Sequence, residues 1–272
     1  MTVRASVAWQ LKAGGILLGG AIRGMAQYRA DLFMTMAAGA VFQSVGFFAL
    51  WVMLARFGEI GGWSISDVAL LYGIRLVAHA VWALPFNQLR FVEDFVQEGT
   101  FDRFLIRPVN PLVQLMTSRF RLHPLGDLLA GLVLLIPAMS LVDVDWNAWR
   151  LGFLALAILG GGMVEGAFQL GMSAIAFRTL GTRQARFTVD SVFNLYGNYP
   201  GKVFGRAGQL ALTILPVAFV AYLPTTVLLG RTDELGLPAW LAYLSPVVGA
   251  LLFAGSYAFW HRQIRHYQGA GS

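Results

Sequence analysis

Long apolar blocks separated by short charged turns run along almost the whole chain. Blocks fall at about Leu32 to Ala55, Val68 to Leu89, Leu125 to Val142, Leu151 to Phe177 and Trp240 to Trp260. Each is close to the roughly 20 residues that a helix needs to cross a hydrocarbon layer of about 30 Å. The turn between the first two carries Gly58, Gly61, Gly62, Ser64 and Ser66, which suits a short connection. Asp143 to Trp149 forms another, with Trp146 and Trp149 placed for an interfacial aromatic belt. In the fourth block, Gly162 and Gly166 have the spacing of a close helix contact.

Two stretches depart from this pattern. In residues 1–30, Val7, Leu11, Leu18, Ile22 and Met25 recur at helical spacing, with Lys12, Arg23 and Gln27 opposite, which predicts an interfacial helix. The run AGGILLGGAI beside Arg4 and Lys12 has no small-residue cleavage site of the kind a signal peptide needs. From Arg186 to Gly230 the pattern allows two readings. Arg186, Asp190, Asn194, Asn198, Lys202 and Arg206 recur every fourth residue, but each step drifts about 40° on a helix of 3.6 residues per turn. Either 187–204 lies at the interface and 208–228 is the fifth span, or 187–204 is a polar fifth span followed by a re-entrant segment around Pro216 and Pro224.

Composition agrees with a polytopic membrane protein: 57% of the residues are hydrophobic and the mean hydropathy is +0.63. The net charge of +6 comes from arginines at the ends of apolar blocks, so no nucleic-acid partner is expected. Their bias to one side places both termini in the cytosol by the positive-inside rule, with six membrane segments in all. Arg4, Arg119 and Arg121 fall on that side, whereas Arg56, Arg150 and Arg231 fall on the other. There is no cysteine, and the four histidines are scattered, so no metal site or thiol chemistry is expected. No GxxxxGK[ST] loop occurs, and Gly171 to Ala174, GMSA, has no positioned His and Asp partners, so the chain reads as neither an ATPase nor a serine hydrolase.

The most informative polar stretch is Phe91 to Leu112, FVEDFVQEGTFDRFLIRPVNPL, too charged to span. Phe91, Val92, Phe95 and Val96 share one side of a short helix, with Glu93, Asp94, Gln97 and Glu98 on the other. Gly99 suits its C-terminal cap, and Thr100 the start of a second short helix that gathers Phe101, Phe104 and Leu105 until Pro108 and Pro111 end it. Two such pieces form a cytosolic elbow with a mixed-charge side.

The run EGTFDRFLIRPVNPLVQLM resembles the signature loop of the ABC-2 family of transporter permeases, in the branch of small drug and viologen exporter subunits. Tyr28 to Asp31, Trp51, Ile60 to Gly73, and Tyr199 to Pro224 resemble the same branch, and the similarity spans nearly the whole chain. The resemblance implies an all-α integral membrane protein of type V exporter-like architecture, forming a single permease domain over residues 1–272. It has six transmembrane helices, an N-terminal interfacial helix and a cytosolic coupling helix. It favours the polar fifth span followed by a re-entrant segment. It also implies a bacterial plasma (inner) membrane location and two copies of a separate ATP-binding subunit. Those subunits carry the ATP and Mg, and no cofactor sits in this chain. A second permease chain, identical or homologous, and membrane lipid complete the partners, and the cargo is a drug-like, cationic amphiphilic or lipid molecule. The expected contacts with the ATP-binding subunit are Glu93, Asp94, Glu98, Gly99, Asp102, Arg103 and Arg107.

Polar residues inside apolar blocks normally face protein or water. Counting about 1.5 Å per residue from the outer helix ends puts Arg75 roughly 10 Å deep, His79 about 16 Å and Glu165 about 21 Å. These three are expected to form a polar cluster beside a transport path, with Asn194 and Asn198 lining it. The same three would serve as a proton relay if the chain were instead a proton-coupled secondary transporter.

Overall fold

A computed structural model describes residues 7–26, 29–118, 122–179 and 181–267. The expectations for Arg4, Tyr28, Arg119 and Arg121 lie outside these residues. The described chain is helical, with no strand beyond an isolated bridge between Ile60 and Trp63. Its helices are α1 (Val7–Ala26), α2 (Arg29–Phe57), α3 (Ile65–Phe86), α4 (Val92–Gln97), α5 (Asp102–Leu105), α6 (Pro111–Ser118), α7 (Pro124–Leu141) and α8 (Ala148–Ile175). They continue as α9 (Thr182–Tyr196), α10 (Gly205–Ile214), α11 (Tyr222–Leu228), α12 (Trp240–Tyr243) and α13 (Ser245–Ile264).

Local chemistry sets several of these boundaries. A capping box starts α3: Ser64 Oγ accepts from Asp67 N at 3.3 Å, and the Asp67 carboxylate accepts from Ser64 N at 3.0 Å. Pro85 sits in the last turn of α3, after which Asn87–Phe91 tightens into a 3-10 turn. The Asn147 side chain caps α8 by accepting from Arg150 N at 2.9 Å.

The long helices pack side by side in the order α13, α8, α3, α7, α2. Three consecutive glycines let α8 approach three neighbours. A Cβ on Gly160 would lie 2.5 Å from Pro246 of α13, one on Gly161 2.6 Å from the Val220 carbonyl oxygen, and one on Gly162 2.8 Å from the Ala78 carbonyl oxygen of α3. Gly166 continues the α3 contact at Trp82, as the Gly162/Gly166 spacing predicts.

Among the described residues four helical stretches are long and apolar enough to cross a membrane: Leu32–Phe57, Ile65–Gln97, Pro124–Leu141 and Ala148–Ile175. With 15 residues, α9 is shorter than the roughly 20 that spanning takes, and the more polar α13 also falls outside this set. A count of six therefore draws on α9 and α13, which length and apolarity alone do not supply.

The elbow of α4 and α5 marks one end of the bundle, and the Phe57–Ser64 turn the other. Between them, α9 starts beside Glu93 at the elbow end, where Gly181 N donates to the Glu93 carboxylate. The chain reaches the far end at Val203, which sits 3.3 Å from where a Cβ on Gly61 would be. It then dips back to Val220, against Gly161, and returns to the far end at Arg231, which binds Asp67 and the Gly62 carbonyl oxygen.

That returning loop carries a small ion-pair latch. Arg231 Nε donates to Glu234 at 2.6 Å, and Lys202 Nζ lies 3.1 Å from the same carboxylate. Partial burial pushes the Glu234 carboxyl up, but hydrogen bonds from Arg231 and Lys202 and their charges outweigh it, so its pKa falls below the ordinary 4.5. A carboxyl depressed in the folded state stabilises above its unfolded pKa and loses that contribution as pH falls through the folded one. The thermal midpoint of the parent chain is thus expected to exceed that of Glu234→Gln at pH 7, with the gap closing as pH drops below 4.5. A gap independent of pH would refute the latch.

Candidate functional site

The elbow departs from its helical-wheel expectation in three places. Phe101 and Phe104 are buried with Phe95, whereas Leu105 is exposed: the single turn of α5 packs its rings on Phe95 and Phe177 and leaves Leu105 on the open side. Thr100 does not cap α5, whose N-cap is Phe101; its hydroxyl reaches the Phe95 carbonyl oxygen instead. Glu93, expected on the outward charged side, is only 5% exposed. Its carboxylate accepts from Gly181 N at 2.7 Å, Thr182 Oγ1 at 2.8 Å and Arg183 N at 2.9 Å, so it caps the first turn of α9.

Of the other expected contact residues, Glu98, Asp102, Arg103 and Arg107 are exposed and Gly99 and Asp94 are half-buried. Gly99 takes φ +65°, the left-handed turn that the C-terminal end of α4 requires. Asp94 pairs with Arg183 of α9. Arg103 lies over the rings of Phe95 and Phe104, 5.6 and 5.4 Å from their centroids. Ile106 projects from the same surface at 82% exposure. From behind, Gln114 Nε2 fixes this surface by donating to the carbonyl oxygens of Phe104 and Val109.

Deeper in the bundle the fold joins Arg75, His79, Glu165 and Asn194. Arg75 Nη1 lies 3.3 Å from Glu165 Oε1, and Nη2 donates to Asn194 Oδ1 at 3.0 Å. His79 Nδ1 lies 2.7 Å from Glu165 Oε2, which also accepts from Trp82 Nε1 at 2.7 Å. Arg75 and Glu165 are 1% and 4% exposed, so their charges compensate each other away from solvent. Asn198 sits one turn beyond Asn194 and donates to its carbonyl oxygen at 2.6 Å.

Three members of this network escape the sequence reading: Trp82, Asp127 and Gln43. Asp127 Oδ2 lies 4.0 Å from His79 Nε2, while its Oδ1 accepts from Gln43 Nε2 of α2 at 3.1 Å. Trp82 follows His79 by three residues on one face of α3. The cluster thus ties α2, α3, α7, α8 and α9 together through charge and hydrogen bonds. Among the described residues no three His, Cys, Asp or Glu side chains are placed so that they could hold a metal ion together.

Toward the elbow, α9 is held again. Arg186 Nη1 donates to the Leu89 carbonyl oxygen at 2.5 Å, and Asp190 accepts from Gln169 and pairs with Arg90 at 3.5 Å. These contacts bury one side of α9. Its opposite side exposes Gln184, Thr188 and Ser191 together with Phe187 and Leu195, and Asn194, though bonded to Arg75, is exposed at the edge between the two sides.

Comparison with known proteins matches residues 40–271 to a family described as ABC-2 family transporter protein. No curated protein and no solved structure matches.

Proposed function

Because the chain belongs to the ABC-2 family of transporter proteins, we propose that it is the permease subunit of an ATP-driven exporter in a bacterial plasma membrane. In this reading two copies of a separate ATP-binding subunit hydrolyse ATP with Mg, and a second permease chain, identical or homologous, completes the path. The cargo is a small amphiphilic, drug-like or lipid molecule that leaves the cell.

The observation that carries the reading is α9. It is anchored on one side by Glu93, Arg186, Asp190 and the Arg75 cluster, and presents amides and hydroxyls on the other. Amides turned toward lipid tails are costly, so this side suits a water-filled route or a second chain. We take α9 as the polar fifth span, 205–231 as a re-entrant segment, α12 with α13 as the sixth span, and the elbow as cytosolic with both termini. Arg75, His79 and Glu165 then hold the wall of the path from behind, with Asn194 and Asn198 at its surface.

Glu98, Asp102, Arg103, Arg107 and Ile106 form the surface offered to the ATP-binding subunit. Exposed charge around one apolar knob sets register with little permanent burial. Reversing Glu98 and Asp102 to Lys is expected to lower the ATP-binding subunit retained on purification from the native membrane by about tenfold or more. Wild-type retention would remove the elbow from this role. The proton-coupled alternative would use Arg75, His79 and Glu165, and uptake by the chain alone under a proton gradient would decide for it.

A further inference from the structure

The elbow continues α3 along the chain, yet its polar contacts lead to a helix about 90 residues further on. Within α4 and the turn before it, Leu89, Arg90, Glu93 and Asp94 reach residues of α9 and its first cap. Glu93 is the centre of this set. It is buried, accepts from Gln97, and receives the Gly181 and Arg183 backbone N–H groups that α9 itself cannot satisfy. The Thr182 hydroxyl adds a further donor. By contrast Gly99 and the 3-10 stretch Asn87–Phe91 separate the exposed elbow surface from α3 by a left-handed turn and a change of helix type.

We infer that Glu93 is a positioning residue that locks the elbow to α9, so that the two move as one body and a pull on the elbow is delivered to the polar helix. This deepens the permease reading and rests on it for the source of the pull. It assigns the first step of the movement to α9 and makes α8 the fixed neighbour against which α9 slides, with Phe168 against Phe193 and Gln169 against Asp190 at that surface. The Arg75–Asn194 bond ties the sliding helix to the buried cluster on α3 and α8.

The absence of native cysteine permits a direct test. Asp94→Cys and Arg183→Cys, joined by a short bis-thiol cross-linker in the complex with its ATP-binding subunit, are expected to leave ATP turnover within about twofold of the unlinked protein. A loss of about tenfold or more would mean that α4 and α9 part during the cycle, and would overturn the inference. In the same complex, Glu93→Ala is expected to abolish the ATP-driven change in distance between spin labels at Ser191 and Leu251, and Glu93→Asp to restore part of it. An undiminished change in Glu93→Ala would also overturn it. A further readout needs no partner: in the isolated full chain, Glu93→Ala is expected to raise hydrogen exchange at residues 181–186 by about tenfold. If that rise occurs but the native complex contains no ATP-binding subunit, the permease reading fails while the lock stands; if the rise is absent, the lock itself fails.

Discussion

Replacing Glu165 by alanine is expected to cost about 3–5 kcal/mol of folding stability, the range for breaking one side of a buried ion pair. The carboxylate has Arg75, His79 and Trp82 as partners, and Arg75 and Trp82 are buried at 1% and 2% exposure, away from the solvent that would replace it. Its loss leaves the Arg75 guanidinium with only Asn194, and the Trp82 N–H with a weaker alternative at His79, 3.3 Å away. The check is the thermal unfolding midpoint of the purified chain in detergent, which should fall sharply. Removing both charges together, as Arg75→Met with Glu165→Leu, should recover much of the loss, because the penalty lies mainly in the charge left behind. A wild-type midpoint for Glu165→Ala would show that the cluster does not hold the bundle.

Gly249→Leu is the second large effect. A Cβ at this position in α13 would stand 2.1 Å from the Gly160 carbonyl oxygen of α8, a backbone atom that no rotamer change can move. Overpacking of ordinary side chains costs about 1–3 kcal/mol, and a backbone clash belongs at or above the top of that range. The expected outcome is α13 displaced from α8 and loss of monodisperse protein on size exclusion. Gly255→Leu, six residues along the same helix with nothing within 4 Å of its Cβ position, serves as the matched control. Equal behaviour of the two variants would contradict the packing of α13 on α8.

The apolar blocks are legible in the sequence because each must bury or immerse its whole surface, and the observed helices start and stop close to them. The joining of Arg75, His79 and Glu165 is legible for a related reason: charge inside an apolar helix needs a partner. The depth count separates Arg75 from Glu165 by about 11 Å along the bundle, a gap that the arginine and glutamate side chains close between them to a contact of 3.3 Å. Applied from the far end of α7, the same count puts Asp127 about 22 Å deep, level with Glu165. Its place in the first turn of α7 conceals that relation. Glu93 is hidden for a different reason. A wheel drawn on α4 compares only neighbours in sequence, and Glu93 lies at the edge of the apolar sector next to Val96. Its partner is the start of a helix far along the chain, and local periodicity carries no trace of that meeting.

Helix α2 leans on α7 and leaves Phe33, Met34, Phe42 and Val45 uncovered, while Gln43 ties it to two other long helices: its amide to Asp127 of α7, and its carbonyl oxygen to the Tyr72 hydroxyl of α3 at 3.4 Å. Net hydrogen-bond contributions are about 0.5–1.5 kcal/mol each, so the tie to Tyr72 of α3 is cheap to break, whereas α7 holds α2 closely: a Cβ on Gly126 would stand 2.2 Å from the Met36 carbonyl oxygen. The subunit is therefore built like a door: α3, α8 and α13 form the frame, α7 is the hinge post, and α2 is a leaf hung on it and latched to α3 at Gln43.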